Sequence, residues 1–280
     1  MNISSDIVYK IRTTDNETCF YSALSIGNVL LMNFDQSSQK IIGFGDKKLD
    51  YYRGLLIRAD FNLHAQYAEE IGKRLPKGSK ILDFGCGQGS LSMRLKDLGY
   101  DVTASDQNIA DFKAQGEIPY FPVNFNSPDE VNQFLTKFEG HFDAVLGVEV
   151  IEHVENPWEY LRNLKRLVRN DGLIFISTPN VTSWYSRMVF LFTGQFQGFV
   201  DPDLIGHINP ITPWELQVIS SKIGLKTETI RSAGELPLIW VSTSIPKTLL
   251  SLMFLPLSII AKGLILGWCT MAVFRKTDVR

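Results

Sequence analysis

Short apolar runs alternate with longer amphipathic stretches through the middle of the chain. Residues 81–84, 102–105, 121–125, 142–147, 173–177, 225–230 and 270–274 are short, apolar or β-branched, and read as strands. The intervening segments carry apolar positions three and four apart and read as helices. This alternation predicts an α/β fold with a mostly parallel sheet and helices on both faces. Residues 51–75 read as a helix with apolar positions Leu55, Leu56, Ala59, Leu63, Tyr67, Ala68 and Ile71, ended by Pro76-Lys77-Gly78. Thr212-Pro213-Trp214-Glu215 opens another helix, with Thr as cap, Pro at the first position and Glu at the third.

The flanks follow different patterns. Residues 1–50 show short alternation at 7–11 and 28–34, which predicts a β-rich appendage or lid before a main domain of residues 51–280. Residues 179–212 form a long lid loop, and its stretch 183–192 is apolar and aromatic around the single charge Arg187. From 236 to 274 the only charges are Lys247 and Lys262. A membrane span needs about 20 apolar residues. The run at 248–261 is shorter, and Pro256 interrupts it. Three readings of 237–266 stand side by side: an apolar helical insertion packed on the fold or on a dimer partner, an interfacial membrane-seeking element, and a true span. The second apolar stretch at 183–192 adds weight to the interfacial reading.

The chemistry begins at residues 81–89, ILDFGCGQG. A buried strand runs into Asp83, glycines stand at 85, 87 and 89, and a helix-compatible run follows from Ser90. Glycines in that turn let backbone approach a ligand closely, and the helix N-terminus behind them favours polar or anionic groups. A nucleoside-type cofactor is the natural occupant. The spacing lacks a glycine three after Gly87, so it is not the dinucleotide pattern.

A second cluster follows the fourth strand. Glu149, Glu152 and His153 form E-x-x-E-H, which on a helix would share one face. Three roles fit: His153 as a base toward a hydroxyl, a divalent ion held by the three side chains, or a hydrogen-bonding structural histidine. His207, before the Thr212 helix start, faces either the substrate or the loop it caps.

Composition narrows the field. A net charge of −2 with no strong basic run disfavours nucleic acid. Cys19, Cys86 and Cys269 lie far apart without zinc spacing, which suits a reducing cytoplasm. Cys86 reads as small filler in the glycine turn.

The motif D-x-G-x-G-x-G, with Asp106 ending the second strand and the block VEVIEHVENPWEYL, resembles the class I S-adenosylmethionine (SAM) methyltransferases. It is most similar to the ubiquinone-biosynthesis type O-methyltransferases. The resemblance implies a Rossmann-like, seven-stranded sheet in the order 3-2-1-4-5-7-6 and SAM as cofactor. It implies that Asp83 orients the methionine amino end and that Gly85, Gly87 and Gly89 sit against the cofactor. Asp106 takes the ribose hydroxyls, and Gln107 frames the adenine. Asn124 stands where relatives often have an Asp that accepts from the adenine amino group. Phe84, Cys86, Val148 and Glu149 complete the expected cofactor lining, and His64 falls where relatives place a basic contact. His153 and Glu149 become the catalytic candidates, with no metal assigned. The implied acceptor is a small molecule or a lipid-linked compound, quinone-like or glycan, methylated on oxygen. Peripheral contact at the inner face of the membrane and a homodimer both fit the apolar segments. A non-catalytic SAM-binding scaffold is the alternative.

Overall fold

In the computed structural model, residues 50–199, 206–235 and 263–277 are described, with 249, 252, 253 and 256 as isolated positions and 7–12 and 18–23 as backbone strands. The chain divides into two compact units, Met1–Gly43 and Phe44–Arg280. In the first, β1 (Ile7–Arg12) and β2 (Thr18–Ala23) form an antiparallel hairpin. The strand expected at 28–34 lies outside the described residues.

The second unit is built on seven strands: β5 (Lys80–Phe84), β6 (Asp101–Asp106), β7 (Tyr120–Pro122), β8 (Phe142–Gly147), β9 (Val168–Pro179), β10 (Leu225–Ala233) and β11 (Cys269–Lys276). Their spatial order is β7-β6-β5-β8-β9-β11-β10. Counted by appearance in the sheet this is 3-2-1-4-5-7-6, the order expected. Of these seven strands β11 runs against the other six, and the pairs it makes with β9 and β10 are the antiparallel ones.

Alternation along the strands sorts the helices. Leu82, Phe84, Ile174, Ile176, Ala272 and Phe274 face α3 (Pro128–Phe138), α4 (Pro157–Leu167) and α6 (Pro213–Lys222) in one continuous core. Each of these helices has Pro at its start behind Ser127, Asn156 or Thr212. The Asn156 and Thr212 side chains accept the Glu159 and Glu215 N–H at 3.1 and 3.0 Å, which satisfies donors the helix itself cannot. Asp83 alternates to the opposite face, where α1 (Leu63–Arg74) and α2 (Ser90–Asp97) pack.

The helix expected from residue 51 does not begin until Leu63. Residues 50–57 instead form a hairpin of β3 (Asp50–Tyr52) and β4 (Leu55–Ile57). Arg53 and Gly54 both have positive φ, 50° and 81°, the geometry of a tight two-residue hairpin turn. Asn62 at φ 61° then sets off the true helix.

Within the lid, 184–193 forms a helix, α5 (Trp184–Thr193), with Ser183 capping the Ser186 N–H and Gly194 closing it at φ 74°. Trp184, Tyr185 and Val189 are buried, with Tyr185 edge-on to Trp268 at 5.0 Å. A helix over 184–192 lines Trp184, Met188, Leu191 and Phe192 along one side, the side an interfacial reading would turn to lipid, but Trp184 is buried and belongs to the core. The exposed apolar end is Phe190, Leu191 and Phe192, at 47, 70 and 76%. Most of 237–266 lies outside the described residues. Among the described residues no helix is long and apolar enough to cross a membrane.

Candidate active site

Because β5, β6, β7, β8 and β9 run parallel, their C-terminal ends share one edge, where open α/β sheets bind ligands. The glycine loop opens there. Gly85 and Cys86 donate to the Ser105 carbonyl at 2.8 and 3.1 Å, which ties the loop to β6. Gly85, Gly87 and Gly89 all have positive φ. They differ in what a side chain would meet. A Cβ on Gly85 would collide with Val150, and one on Gly89 would lie 2.7 Å from Phe112. Among the described residues, a Cβ on Gly87 would meet nothing within 4 Å. Gly85 and Gly89 are thus required by packing, while Gly87 faces open space at the sheet edge, a cradle suited to a cofactor.

Asp83 is buried and accepts the Ser92 hydroxyl at 2.6 Å. Burial pushes its carboxyl up to about 6, with Ser92 opposing. Phe84 points its ring the other way, against Phe125, Phe134 and Tyr160, so only its backbone belongs to the loop. Cys86 is buried, and burial raises its thiol further, so it is unreactive filler. Asp106 accepts the Gly87 N–H at 2.9 Å and the Asn108 N–H at 3.3 Å. A carboxylate has about four acceptor positions, so capacity remains for two ribose hydroxyls. Gln107 is exposed. Asn124 Oδ1 accepts the Asn126 N–H at 3.0 Å, a local turn bond that uses half of its acceptor capacity. His64 is buried beside Ser90, and burial, then Arg94, pushes its imidazole down to about 3. It is therefore neutral and offers no cation.

The E-x-x-E-H segment is not helical. Residues 148–156 form turns, and α4 starts only at Pro157. Val148 is buried at the first turn. Glu149 sits at φ 56°, which turns its side chain toward β9. There its N–H donates to Ser177 Oγ at 2.9 Å, and Ser177 Oγ donates to Glu149 Oε1 at 2.7 Å. Cys269 Sγ lies 3.7 Å from the other oxygen. Glu152 is fully buried, and among the described residues neither carboxylate oxygen has a hydrogen-bond partner within 3.5 Å, with the Thr178 hydroxyl the nearest side chain to relieve it. Burial and the neighbouring Glu149 push its carboxyl well above the usual carboxylate range.

The partner of Glu152 and His153 is His207, which the sequence offered only as an ambiguous loop histidine. Ligand atoms of Glu152, His153 and His207 all lie within 4.8 Å of one another. The two rings meet edge to face at 4.6 Å. His153 Nδ1 is 2.7 Å from the Gly206 carbonyl and His207 Nδ1 is 2.6 Å from the Gly198 carbonyl. Carbonyls only accept, so both Nδ1 atoms carry a proton, and in the neutral ring the lone pair is on Nε2. Burial lowers the His153 pKa, with His207 adding to it. This trio can accept a proton or hold a divalent cation.

A methyltransferase-domain family model matches residues 57–230. The ubiquinone biosynthesis O-methyltransferase of Caulobacter vibrioides is 36% identical over 122 residues, 42% of this chain and 48% of that protein. The Glaesserella parasuis protein of the same name is 30% identical over 169 residues, covering 48% of this chain and 71% of that one. The chain thus spans about half the length of the first of these relatives. Among solved structures, a SAM-dependent methyltransferase from Archaeoglobus fulgidus superimposes with a TM-score of 0.51 at 18% identity, over 76% of this chain and 94% of that one, a likeness of fold. The strand order agrees with this likeness of fold: the chain belongs to the methyltransferase-domain family, and residues 57–230 form a SAM-dependent methyltransferase domain.

Proposed function

We propose that the protein methylates an oxygen atom of an apolar, quinone-like or lipid-linked acceptor. SAM supplies an electrophilic methyl group on a sulfonium. The chain's own residues position the partners and remove a proton. Asp106 accepts the ribose hydroxyls, and Asp83, held by Ser92, orients the amino end. Gly87 leaves the backbone open to close approach. His153 takes the acceptor's hydroxyl proton on Nε2. The observation that carries this reading is the bond from His153 Nδ1 to the Gly206 carbonyl, which fixes the basic nitrogen as Nε2 beside Glu152 and His207. Glu149 supports the site from the β9 side through Ser177. The names of the curated relatives supply the acceptor class.

His153→Ala should lower turnover by about 10² to 10⁴-fold with SAM binding nearly intact. Turnover within about threefold of wild type rejects the base, since general-base loss costs far more. The 4.8 Å grouping of Glu152, His153 and His207 favours a second reading, in which a divalent ion lowers the acceptor's pKa. Exhaustive chelation separates the two: full activity afterwards leaves the base, and lost activity restored by one added metal selects the ion. Tight SAM binding without methyl release on any membrane lipid extract selects a scaffold instead.

The exposed Phe190, Leu191 and Phe192 support action at a membrane surface. Burying one such side chain contributes about 1.5 to 3 kcal/mol. Liposome flotation of wild type against a Leu191→Glu, Phe192→Glu variant tests this. Trp184 is left intact because it is core. Wild type that stays in the soluble fraction on neutral and anionic vesicles alike removes the membrane contact.

A further inference from the structure

The cofactor loops are held from outside by the hairpin that precedes them. The Leu56 N–H donates to Gln88 Oε1 at 3.0 Å. Gln88 stands between Gly87 and Gly89, and its carbonyl accepts the Lys113 N–H at 3.2 Å. Beyond β4, Arg58 forks onto Asp111, with Nη1 to Oδ2 at 2.5 Å and Nη2 to Oδ1 at 3.0 Å. The Asp111 N–H donates to the Asn108 carbonyl at 3.1 Å, and the Asn108 N–H donates to Asp106 Oδ1. A chain of bonds therefore leads from Arg58 to the carboxylate assigned to the ribose, and a second leads from Leu56 into the glycine turn.

The hairpin has its own anchors. The Tyr52 hydroxyl and Arg53 Nη1 both donate to the Asp97 carboxylate, at 2.9 and 3.1 Å. The Arg94 guanidinium lies 4.2 Å over the Tyr52 ring. Downstream, Gln66 pairs with the backbone of Gly234 in both directions, at 3.0 and 3.1 Å. The segment 50–66 is thus pinned on both sides of the glycine loop. Residues 50–56 lie before the stretch that matches the family, so the hairpin up to Leu56 is not carried by that match.

We propose that residues 50–58 are a clasp that presets both halves of the cofactor site, with Arg58 and Gln88 as positioning residues. The inference rests on the cofactor reading above. An ion pair with one exposed partner adds little to global stability, and the Arg58 side chain is 58% exposed. Its effect falls on loop order instead. Loops ordered in advance lose less entropy when a ligand binds, which raises affinity without adding a contact.

The experiment is calorimetric titration of the full chain with SAM, together with initial rates. Arg58→Ala and Gln88→Leu should each weaken SAM binding about three- to tenfold, the cost of ordering one or two side chains at binding. Melting temperatures should stay near wild type. The KM for SAM should rise while the KM for the acceptor and kcat hold, a split that a general structural defect would not give. Arg58→Asp should weaken binding further, and Arg58→Asp with Asp111→Arg should restore it. If wild type binds SAM and all the single variants match it within about twofold, the clasp is wrong, because that is below the ordering cost. If the reversed pair does not restore binding, Arg58–Asp111 is not the link. If wild type fails to bind SAM, the cofactor reading falls and the clasp with it.

Discussion

Substitution of Asp106 tests the cofactor assignment most directly, because its carboxylate has two separable jobs. Inside the protein it accepts the Gly87 N–H at 2.9 Å and the Asn108 N–H at 3.3 Å. Toward the ligand it is assigned two ribose hydroxyls. Asp106→Ala removes everything. Orphaning a partly buried N–H costs about 1 to 3 kcal/mol, and each hydrogen bond to a charged group is worth about 1.5 to 3 kcal/mol net. Asp106→Asn separates the jobs. Its amide oxygen can keep the shorter bond to Gly87, while its NH2 faces the weaker Asn108 donor and the charge is gone. The Asn variant should therefore melt within a few degrees of wild type yet bind SAM about 10- to 100-fold more weakly, equivalent to about 1.4 to 2.8 kcal/mol. The Ala variant should lose at least as much affinity and also melt lower, by about 2 to 4 °C per kcal/mol for a domain of this size. Calorimetric titration and differential scanning calorimetry give both quantities. A native-like Asn variant with an unchanged dissociation constant would refute the ribose assignment. Equal thermal losses for Asn and Ala would refute the division of labour.

Other expectations follow from the same edge of the sheet. Asp83 is raised to about 6 by burial, so the folded apo protein holds its proton above the range where the unfolded chain releases it. Apo stability should fall as pH rises from about 4 through 6, and SAM, whose amino group prefers the ionised carboxylate, should bind more tightly over that window; Asp83→Asn should flatten both profiles, and pH-independent SAM affinity would exclude the contact. Gly87→Ala and Gly89→Ala should fail in different ways. Gly89→Ala collides with Phe112 and should lower the melting temperature markedly, whereas Gly87→Ala bears only the strain of its φ of 52° and should cost less stability while losing SAM affinity; equal thermal losses would contradict the cradle. Glu152→Gln should leave the melting temperature at pH 8 unchanged or raised, since it removes a buried carboxyl that has no close hydrogen-bond partner among the described residues and lies next to Glu149; a drop of several degrees would mean that the carboxyl is held, by Thr178 or by the loop before His207.

What the sequence made legible was local. Glycine placement, strand endings and the X-Pro helix starts all depend on a few neighbouring residues, and the structure agrees at Gly85, Gly87, Gly89, Asp106 and Thr212. The misreading at residue 51 was also local in origin. Leu55, Leu56 and Ala59 match a helical period by coincidence, while the Arg53-Gly54 turn between Tyr51-Tyr52 and Leu55-Leu56 was the competing signal. Trp184 shows a different limit. A helical wheel orders the side chains around an axis but does not say which side meets the core, and here Tyr185 packs against Trp268, 83 residues onward.

The histidine site shows why motif spacing alone misassigns roles. Glu149 and His153 are four residues apart and would share a face on a helix. The left-handed backbone at Glu149 breaks that relation and sends its carboxylate to Ser177 on β9. The vacated place beside His153 is taken by His207, more than fifty residues later, brought there by a loop that also supplies both carbonyls on the Nδ1 atoms. The same loop donates the Ile208 and Asn209 N–H groups to the Glu152 carbonyl at 2.9 and 3.0 Å. Tautomer, ring contact and the burial of Glu152 are therefore properties of one loop closure rather than of the E-x-x-E-H motif. A substitution that loosens the loop without touching either histidine, such as Asn209→Ala, which removes the amide bonded to the Val154 carbonyl, should impair turnover while leaving SAM binding intact.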